Sequence, residues 1–148
     1  MIAVDTNLLV YAHRQDSQWQ PAANACISRL AAAGVPWAIP WPCVYEFYSV
    51  VTHPRIYAPP SSPEQAVAQL DAWFEAPDLM LLAEEFEHWA RLKDQLVRAR
   101  VAGPLAHDAK IAALCLANGI SELWTADRDF GRFPALKTKN PLVDTDAL

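Results

Sequence analysis

The chain opens with MIAVDTNLLVYAHR at residues 1–14, and this stretch decides the fold. Ile2 to Val4 is a short, unbroken apolar run, which is typical of a strand buried on both faces of a parallel sheet. Asp5 follows at once, although an ionised carboxylate beside a core is costly unless something compensates for it. The stretch therefore predicts a buried strand with a functional acid at its carboxyl end.

Further strands and helices alternate along the rest of the chain. Four more segments are candidate strands, at residues 35–39, 79–83, 122–125 and 137–139. Start and stop signals predict helices from Pro21 to Gly34, from Pro42 to just before Pro54, from the capping box of Ser62 and Gln65 to Pro77, from Glu84 to Arg100, and from Pro104 to Asn118. Strands separated by helices pair in parallel through right-handed crossovers, so we expect an α/β fold, a three-layer α/β/α domain.

Composition limits the class of protein. With 148 residues and 53% hydrophobic content, residues 1–148 are expected to form a single domain around one core. Neither a membrane span nor a targeting segment is visible, so a cytoplasmic protein is expected. Cys26, Cys43 and Cys115 are odd in number and widely spaced, which favours reduced core thiols over disulfides or a zinc site. A net charge of −5 disfavours ordinary electrostatic binding of nucleic acid.

Four acids share one position relative to the predicted strands. Asp5 directly follows a predicted strand and Asp127 lies two residues past one, whereas Glu46 and Asp108 lie about one turn into helices, all in apolar surroundings. Ligands of open parallel sheets bind at the carboxyl ends of the strands, so these four side chains are candidate site residues. Clustered carboxylates suit Mg²⁺ or Mn²⁺. Two such ions can promote cleavage of a phosphodiester, and their charge would reconcile an acidic protein with an anionic substrate.

Three neutral side chains are candidates for a supporting role. Thr6, Asn7 and Thr125 could donate hydrogen bonds to water held by a metal ion. Thr6 and Asn7 could equally cap the first short helix. The sequence leaves both interpretations open.

These motifs together resemble a known family. VDTNLLVYAHR at the start, VYEFYSV around Glu46, HDAKIAAL around Asp108, TADRDF around Asp127 and the closing NPL at 140–142 are similar to those of the PIN-domain ribonucleases, and within them of the VapC-type toxins of bacterial type II toxin–antitoxin systems. The resemblance spans nearly the whole chain, and the order and spacing of its motifs make the set specific.

The resemblance implies both an activity and its partners. It implies a five-stranded parallel sheet, Mg²⁺- or Mn²⁺-dependent endonucleolytic cleavage of structured RNA, homodimerisation, and inhibition by a small VapB-type antitoxin whose tail blocks the acidic site. By it, Asp5, Glu46 and Asp108 are the core acids and Asp127 is the fourth. Asp129 stands two residues further on and could either substitute for Asp127 or cap the next turn.

Some basic and aromatic residues are candidates for contacts at the surface. Arg14 could touch RNA phosphate or the antitoxin, or could simply be a solvated helix end. Positive charge also concentrates in a local stripe formed by Arg91, Lys93, Arg98 and Arg100. His107 is adjacent to Asp108, but neighbouring helical positions point about 100° apart, so it is not expected to be a ligand. Three tryptophans are assigned to the core or to a dimer interface: Trp73, Trp89 and Trp124.

Two other classes of protein remain as alternatives. A phosphatase of the haloacid-dehalogenase type also places a nucleophilic Asp after its first strand, but it would need a second Asp where this chain has Asn7. A catalytically degenerate PIN-like interaction module would be expected to have lost acids, and all four are present.

Overall fold

The structure is a computed structural model that describes residues 1–143. Residues 144–148, DTDAL, which are predicted to fray, lie outside the described residues. The strands are β1 (Ile2–Val4), β2 (Trp37–Pro40), β3 (Leu79–Leu82), β4 (Glu122–Trp124) and β5 (Thr138–Lys139). The helices are α1 (Thr6–His13), α2 (Gln20–Ala32), α3 (Trp41–Val51), α4 (Pro63–Phe74), α5 (His88–Arg98) and α6 (Leu105–Ala117), and a 3₁₀ turn covers Arg128–Arg132.

The five strands form one parallel sheet in the order β3-β2-β1-β4-β5, which confirms the predicted α/β class. β1 is central: Ala3 pairs with Ala38 on one side and with Leu123 on the other. Ala3 and Val4 are completely buried, as the unbroken apolar run requires. The order of strands reverses between β1 and β4, and such a switch point opens a crevice at the carboxyl edge of the sheet. Asp5 stands at this crevice, where its backbone N–H donates to Trp124 O at 3.0 Å.

The helices pack around the sheet on a continuous hydrophobic core. Phe47 of α3 meets Trp73 of α4 edge to face at 5.2 Å between ring centroids. The predicted capping box at α4 is present, with Gln65 N–H donating to Ser62 Oγ at 3.1 Å and Ser62 N–H donating to Gln65 Oε1 at 2.9 Å. Cys26, Cys43 and Cys115 are free and buried, which confirms the prediction of reduced core thiols.

Three local predictions differ from the structure. β2 begins at Trp37 and not at Val35, because Gly34 takes a φ of +69° and leaves Val35 56% exposed. α5 begins at His88 and not at Glu84, since residues 84–87 form an irregular turn in which His88 N–H donates to Glu85 O. Trp89 is 62% exposed, so it does not lie in the core and a dimer interface stays its predicted location, whereas Trp73 is buried.

None of the helices within residues 1–143 is long and apolar enough to span a membrane.

Candidate active site

A pocket of about 260 Å³ opens at the carboxyl edge of the sheet, beside the switch point between β1 and β4. The four predicted acids all line it, although they come from four separate segments of the chain. Its lining residues are Asp5, Thr6, Asn7, Val10, Tyr11, Glu46, Val50, Tyr57, Asp108 and Asp127. The shared position of the acids after the strands thus brings them together in space.

Asp5 is the most deeply buried of the four acids, with 4% of its surface exposed. Thr125 Oγ1 donates to Asp5 Oδ2 at 2.7 Å, and the Cys43 thiol donates to Asp5 Oδ1 at 3.6 Å. Burial raises the pKa of Asp5 to about 6, and these hydrogen bonds only partly oppose that effect. Asp5 is therefore a carboxylate whose charge is poorly compensated by the protein itself.

Thr125 connects the ends of β1 and β4. Besides donating to Asp5, its hydroxyl accepts from Asp127 N–H at 3.0 Å and from Asn7 Nδ2 at 3.4 Å. The O–H donor and both lone pairs of the Thr125 hydroxyl are thereby all used. Asn7 Oδ1 in turn accepts from Ala126 N–H at 3.1 Å. This network fixes the position of Asp5 relative to the segment that carries Asp127.

Thr6 performs a similar task for Glu46. Its hydroxyl donates to Glu46 Oε2 at 3.0 Å, although Glu46 is otherwise exposed on α3. The alternative that Thr6 and Asn7 cap the first helix is wrong, because Asp5 occupies the N-cap position and both side chains bond to other segments. Asp5 makes no side-chain capping bond either.

Asp108, Asp127 and Asp129 form a second acidic group at the same edge, with carboxylate oxygens within 4.8 Å of one another. Asp127 Oδ1 accepts from Asp129 N–H at 2.8 Å, so Asp127, and not Asp129, caps the 3₁₀ turn. Burial raises the pKa of Asp108 to about 6, with further contributions from the charges of Asp127, Asp5, Asp129 and Glu46. Asp129 is exposed and does not line the pocket, but it lies close enough to take part in binding a cation at Asp108.

Arg14 has partners within the protein. Its Nε and Nη2 atoms donate to the two carboxylate oxygens of Asp16 at 2.9 and 2.7 Å. Nη1 donates to Ser61 Oγ at 3.2 Å and Nη2 to Pro59 O at 3.0 Å. Only 11% of the side chain is exposed, so the guanidinium holds the loop before α4. A contact of Arg14 with RNA or antitoxin stays a prediction.

Two tyrosines that line the pocket were not predicted as site residues from the sequence. Tyr11 follows Asn7 by four residues on α1, so helical spacing could have placed the two side chains on one face. Tyr57 comes from the irregular loop between α3 and α4, where no periodicity indicates the direction of a side chain.

The donor set of this pocket is that of a site for hard divalent cations. Its carboxylate oxygens are ligands that Mg²⁺ and Mn²⁺ prefer, and no soft sulfur donor lines it. Mutual repulsion contributes to the raised pKa of Asp108, so a bound cation would relieve a real electrostatic cost. The residues therefore fit one or two divalent ions.

Comparisons with known proteins agree with this fold and site. The family model of the PIN domain matches residues 2–136. VapC ribonuclease Mb2897 of Mycobacterium bovis is 35% identical over 142 residues, which cover 96% of each chain. Ribonuclease VapC48 of Mycobacterium tuberculosis is 29% identical over 138 residues, covering 93% of this chain and 94% of the relative. The chain therefore belongs to the PIN domain family, and within it to the VapC ribonucleases.

Solved structures show the same fold at low sequence identity. VapBC2 from Rickettsia felis, bound to a DNA fragment of its promoter, gives a TM-score of 0.65 at 21% identity and covers 94% of this chain and 98% of that one. Mycobacterium tuberculosis VapC20, described as a Sarcin-Ricin loop cleaving toxin, gives a TM-score of 0.67 at 17% identity, with 88% and 93% covered.

Proposed function

We propose that this chain is the toxin of a type II toxin–antitoxin system, an endoribonuclease that uses Mg²⁺ or Mn²⁺ to cleave structured RNA. One observation carries the proposal: acids from four separate segments line a single pocket at the switch point of the sheet. The chain's relatives bear the name ribonuclease, which makes RNA the substrate to test first.

Asp5, Glu46, Asp108 and Asp127 are proposed as catalytic residues and metal ligands. Divalent ions, when bound, supply the Lewis acidity that activates water and stabilises charge on a phosphodiester. The chain's own task is to hold the carboxylates in place: Thr125 holds Asp5 by its 2.7 Å hydrogen bond, and Thr6 holds Glu46 at 3.0 Å.

Two further residues, Asn7 and Asp129, are proposed to support these four acids. Asn7 fixes Thr125 and the backbone of Ala126, and thereby the start of the segment that carries Asp127. Asp129 serves as an additional acid beside Asp108. In the absence of metal this arrangement repels RNA, so RNA binding at the pocket should itself require divalent cations.

A VapB-type antitoxin is the proposed protein partner, and the cytoplasm is the proposed location. The structural relative VapBC2 from Rickettsia felis is a complex bound to DNA from its promoter, which supports pairing with a DNA-binding antitoxin. Expression of this chain alone should arrest growth and fragment RNA, and co-expression of a small antitoxin should restore growth. Normal growth with intact RNA would argue for an interaction module.

We further propose a homodimer formed through the surface of α5. This helix contains no buried residue although it packs on α6. Exposed apolar side chains on or beside it are Phe86 (103%), Trp89 (62%) and Val97 (75%), which a dimer interface would bury.

The charges of this surface favour a second copy of the chain as the partner. Acidic residues precede the helix at positions 84, 85 and 87, and basic residues lie further along at 91, 93, 98 and 100. Within one copy, Glu87 pairs with Arg91 at 3.7 Å and Asp94 with Arg98 at 2.9 Å, so the other charges are free to pair between copies. Two antiparallel copies of α5, related by a twofold axis, would place each acidic end beside a basic end. Sedimentation analysis should show that the parental protein is a dimer and that Trp89→Glu is a monomer. Val67→Glu is the control: Val67 is exposed on α4 (48%), so this variant should stay dimeric. A monomeric parental protein would contradict this part of the proposal.

The activity itself is tested with purified protein and total bacterial RNA. We expect fragments with defined 5′ ends in Mg²⁺ and none in EDTA. Hydrolysis of p-nitrophenyl phosphate without RNA cleavage would indicate a phosphatase, and no reaction with either substrate would indicate an interaction module.

A further inference from the structure

Tyr57 is the one residue of the pocket wall that is aromatic and comes from a loop rather than from a helix or strand. It follows α3 and precedes α4, and it shares the pocket with Asp5, Glu46 and Asp108. Its side chain is half-buried: it lines the pocket and also packs against the hydrophobic core. An accessible aromatic ring beside a phosphate-cleaving centre is placed to meet a nucleobase.

The ring of Tyr57 is supported on one face by Arg14. The guanidinium carbon of Arg14 lies 4.2 Å from the ring centroid, within the range of a cation–π contact. Arg14 is itself fixed by its two hydrogen bonds to Asp16. A supported ring loses little conformational freedom when it binds a ligand, which favours its use as a rigid contact.

The loop that carries Tyr57 is anchored at several points. Tyr57 N–H donates to His53 O at 3.1 Å, and Ser61 N–H donates to Val51 O at 2.8 Å. The Ser61 hydroxyl contacts both His13 Nε2 at 2.9 Å and Arg14 Nη1 at 3.2 Å. The end of α1 thus holds the loop, and with it the ring, against the pocket.

We propose that Tyr57 is a substrate-positioning residue: the ring face not covered by Arg14 stacks on the base of a nucleotide next to the scissile phosphate. This inference rests on the proposed ribonuclease activity. The chemistry requires an unpaired base, since a base within a continuous duplex already has both faces stacked. Arg14 is then a positioning residue: it supports the ring of Tyr57 and does not itself bind an RNA phosphate.

The test compares three variants with the parental protein on one RNA. The substrate is an oligoribonucleotide that spans a site mapped by 5′-end sequencing of total RNA cleaved by the parental protein in Mg²⁺. Loss of a stacking aromatic weakens binding about 5- to 150-fold. We expect Tyr57→Leu to raise KM by such a factor with little change in kcat, and Tyr57→Phe to retain the parental KM because it keeps the ring. Tyr48→Leu is the matched control, since Tyr48 is also partly exposed (36%) but lies outside the pocket.

A double-mutant cycle tests the role of Arg14. Arg14→Gln should raise KM in the parental background and leave it unchanged in the Tyr57→Leu background, because the two residues act through one contact. If Tyr57→Leu kept the parental KM, the stacking inference would be overturned while the proposed ribonuclease activity would stand. The same holds if Tyr57→Phe raised KM as much as Tyr57→Leu does. Failure of the parental protein to cleave any RNA would instead overturn the proposed function.

Discussion

The metal-free protein should become more stable when Asp5 is replaced by Asn. The pKa of Asp5 is raised from 3.8 to about 6, chiefly by burial. At about 1.4 kcal/mol per pKa unit, the charged carboxylate costs the native state about 3 kcal/mol at pH 7.5. Asn keeps an acceptor for the Thr125 hydroxyl but adds amide donors to a buried site at a cost of about 1 to 3 kcal/mol, so the expected net gain is about 0 to 2 kcal/mol.

The sign of the pH dependence follows from proton binding. Because the folded pKa exceeds the unfolded value, the native state binds more protons between about pH 4 and pH 6, and parental stability falls as pH rises through that window. At pH 5 the cost of the charge is only about 1.5 kcal/mol, so Asp5→Asn should gain less there than at pH 7.5.

Thermal unfolding in EDTA at both pH values measures this effect. For a chain of this size, the gain at pH 7.5 corresponds to a rise in Tm of up to about 8 °C. Asp71→Asn, which removes an exposed carboxylate on α4, is the control and should change stability by less than about 0.5 kcal/mol. An Asp5→Asn variant less stable than the parental protein at both pH values would refute the reasoning.

Three further predictions concern the metal, the network and the helix cap. Mg²⁺ should raise the Tm of the parental protein but not that of Asp5→Asn. The rise should vanish below about pH 6, because protons then compete with the metal for Asp5 and Asp108. An equal rise in Tm at pH 5 and pH 7.5 would count against metal binding by these two acids. Thr125→Val should lose about 1–3 kcal/mol in urea unfolding, because it leaves Asp5 Oδ2 without its donor, whereas Thr125→Ser should stay near parental stability. Ser62→Ala should lose about 1 kcal/mol with the capping box and leave RNA cleavage unchanged.

Much of this architecture could be predicted from the sequence because it depends on local patterns. The unbroken apolar run of Ile2 to Val4 identified the central strand, and the spacing of Ser62 and Gln65 identified the start of α4. The gathering of the acids followed from one rule, since residues after parallel strands meet at one edge of the sheet.

The remaining features depend on contacts between distant segments. The start of β2 was set by the left-handed backbone of Gly34, and Trp89 proved exposed because α5 lies on the outside of α6. Periodicity does not show that Thr125 would donate to Asp5 across 120 residues. Nor does it place Tyr57 in the pocket, since the direction of a loop side chain is set by the residues that anchor the loop.

The central claim is that the acidic pocket cleaves RNA with the help of divalent metal. The most direct measurement compares RNA cleavage in Mg²⁺ by the parental protein, by Asp5→Asn and by the control Asp71→Asn, with 5′ ends mapped by sequencing. We expect cleavage by the parental protein and Asp71→Asn at equal rates, and a loss of about 10²-fold or more in Asp5→Asn. Cleavage by Asp5→Asn at the parental rate would contradict the claim.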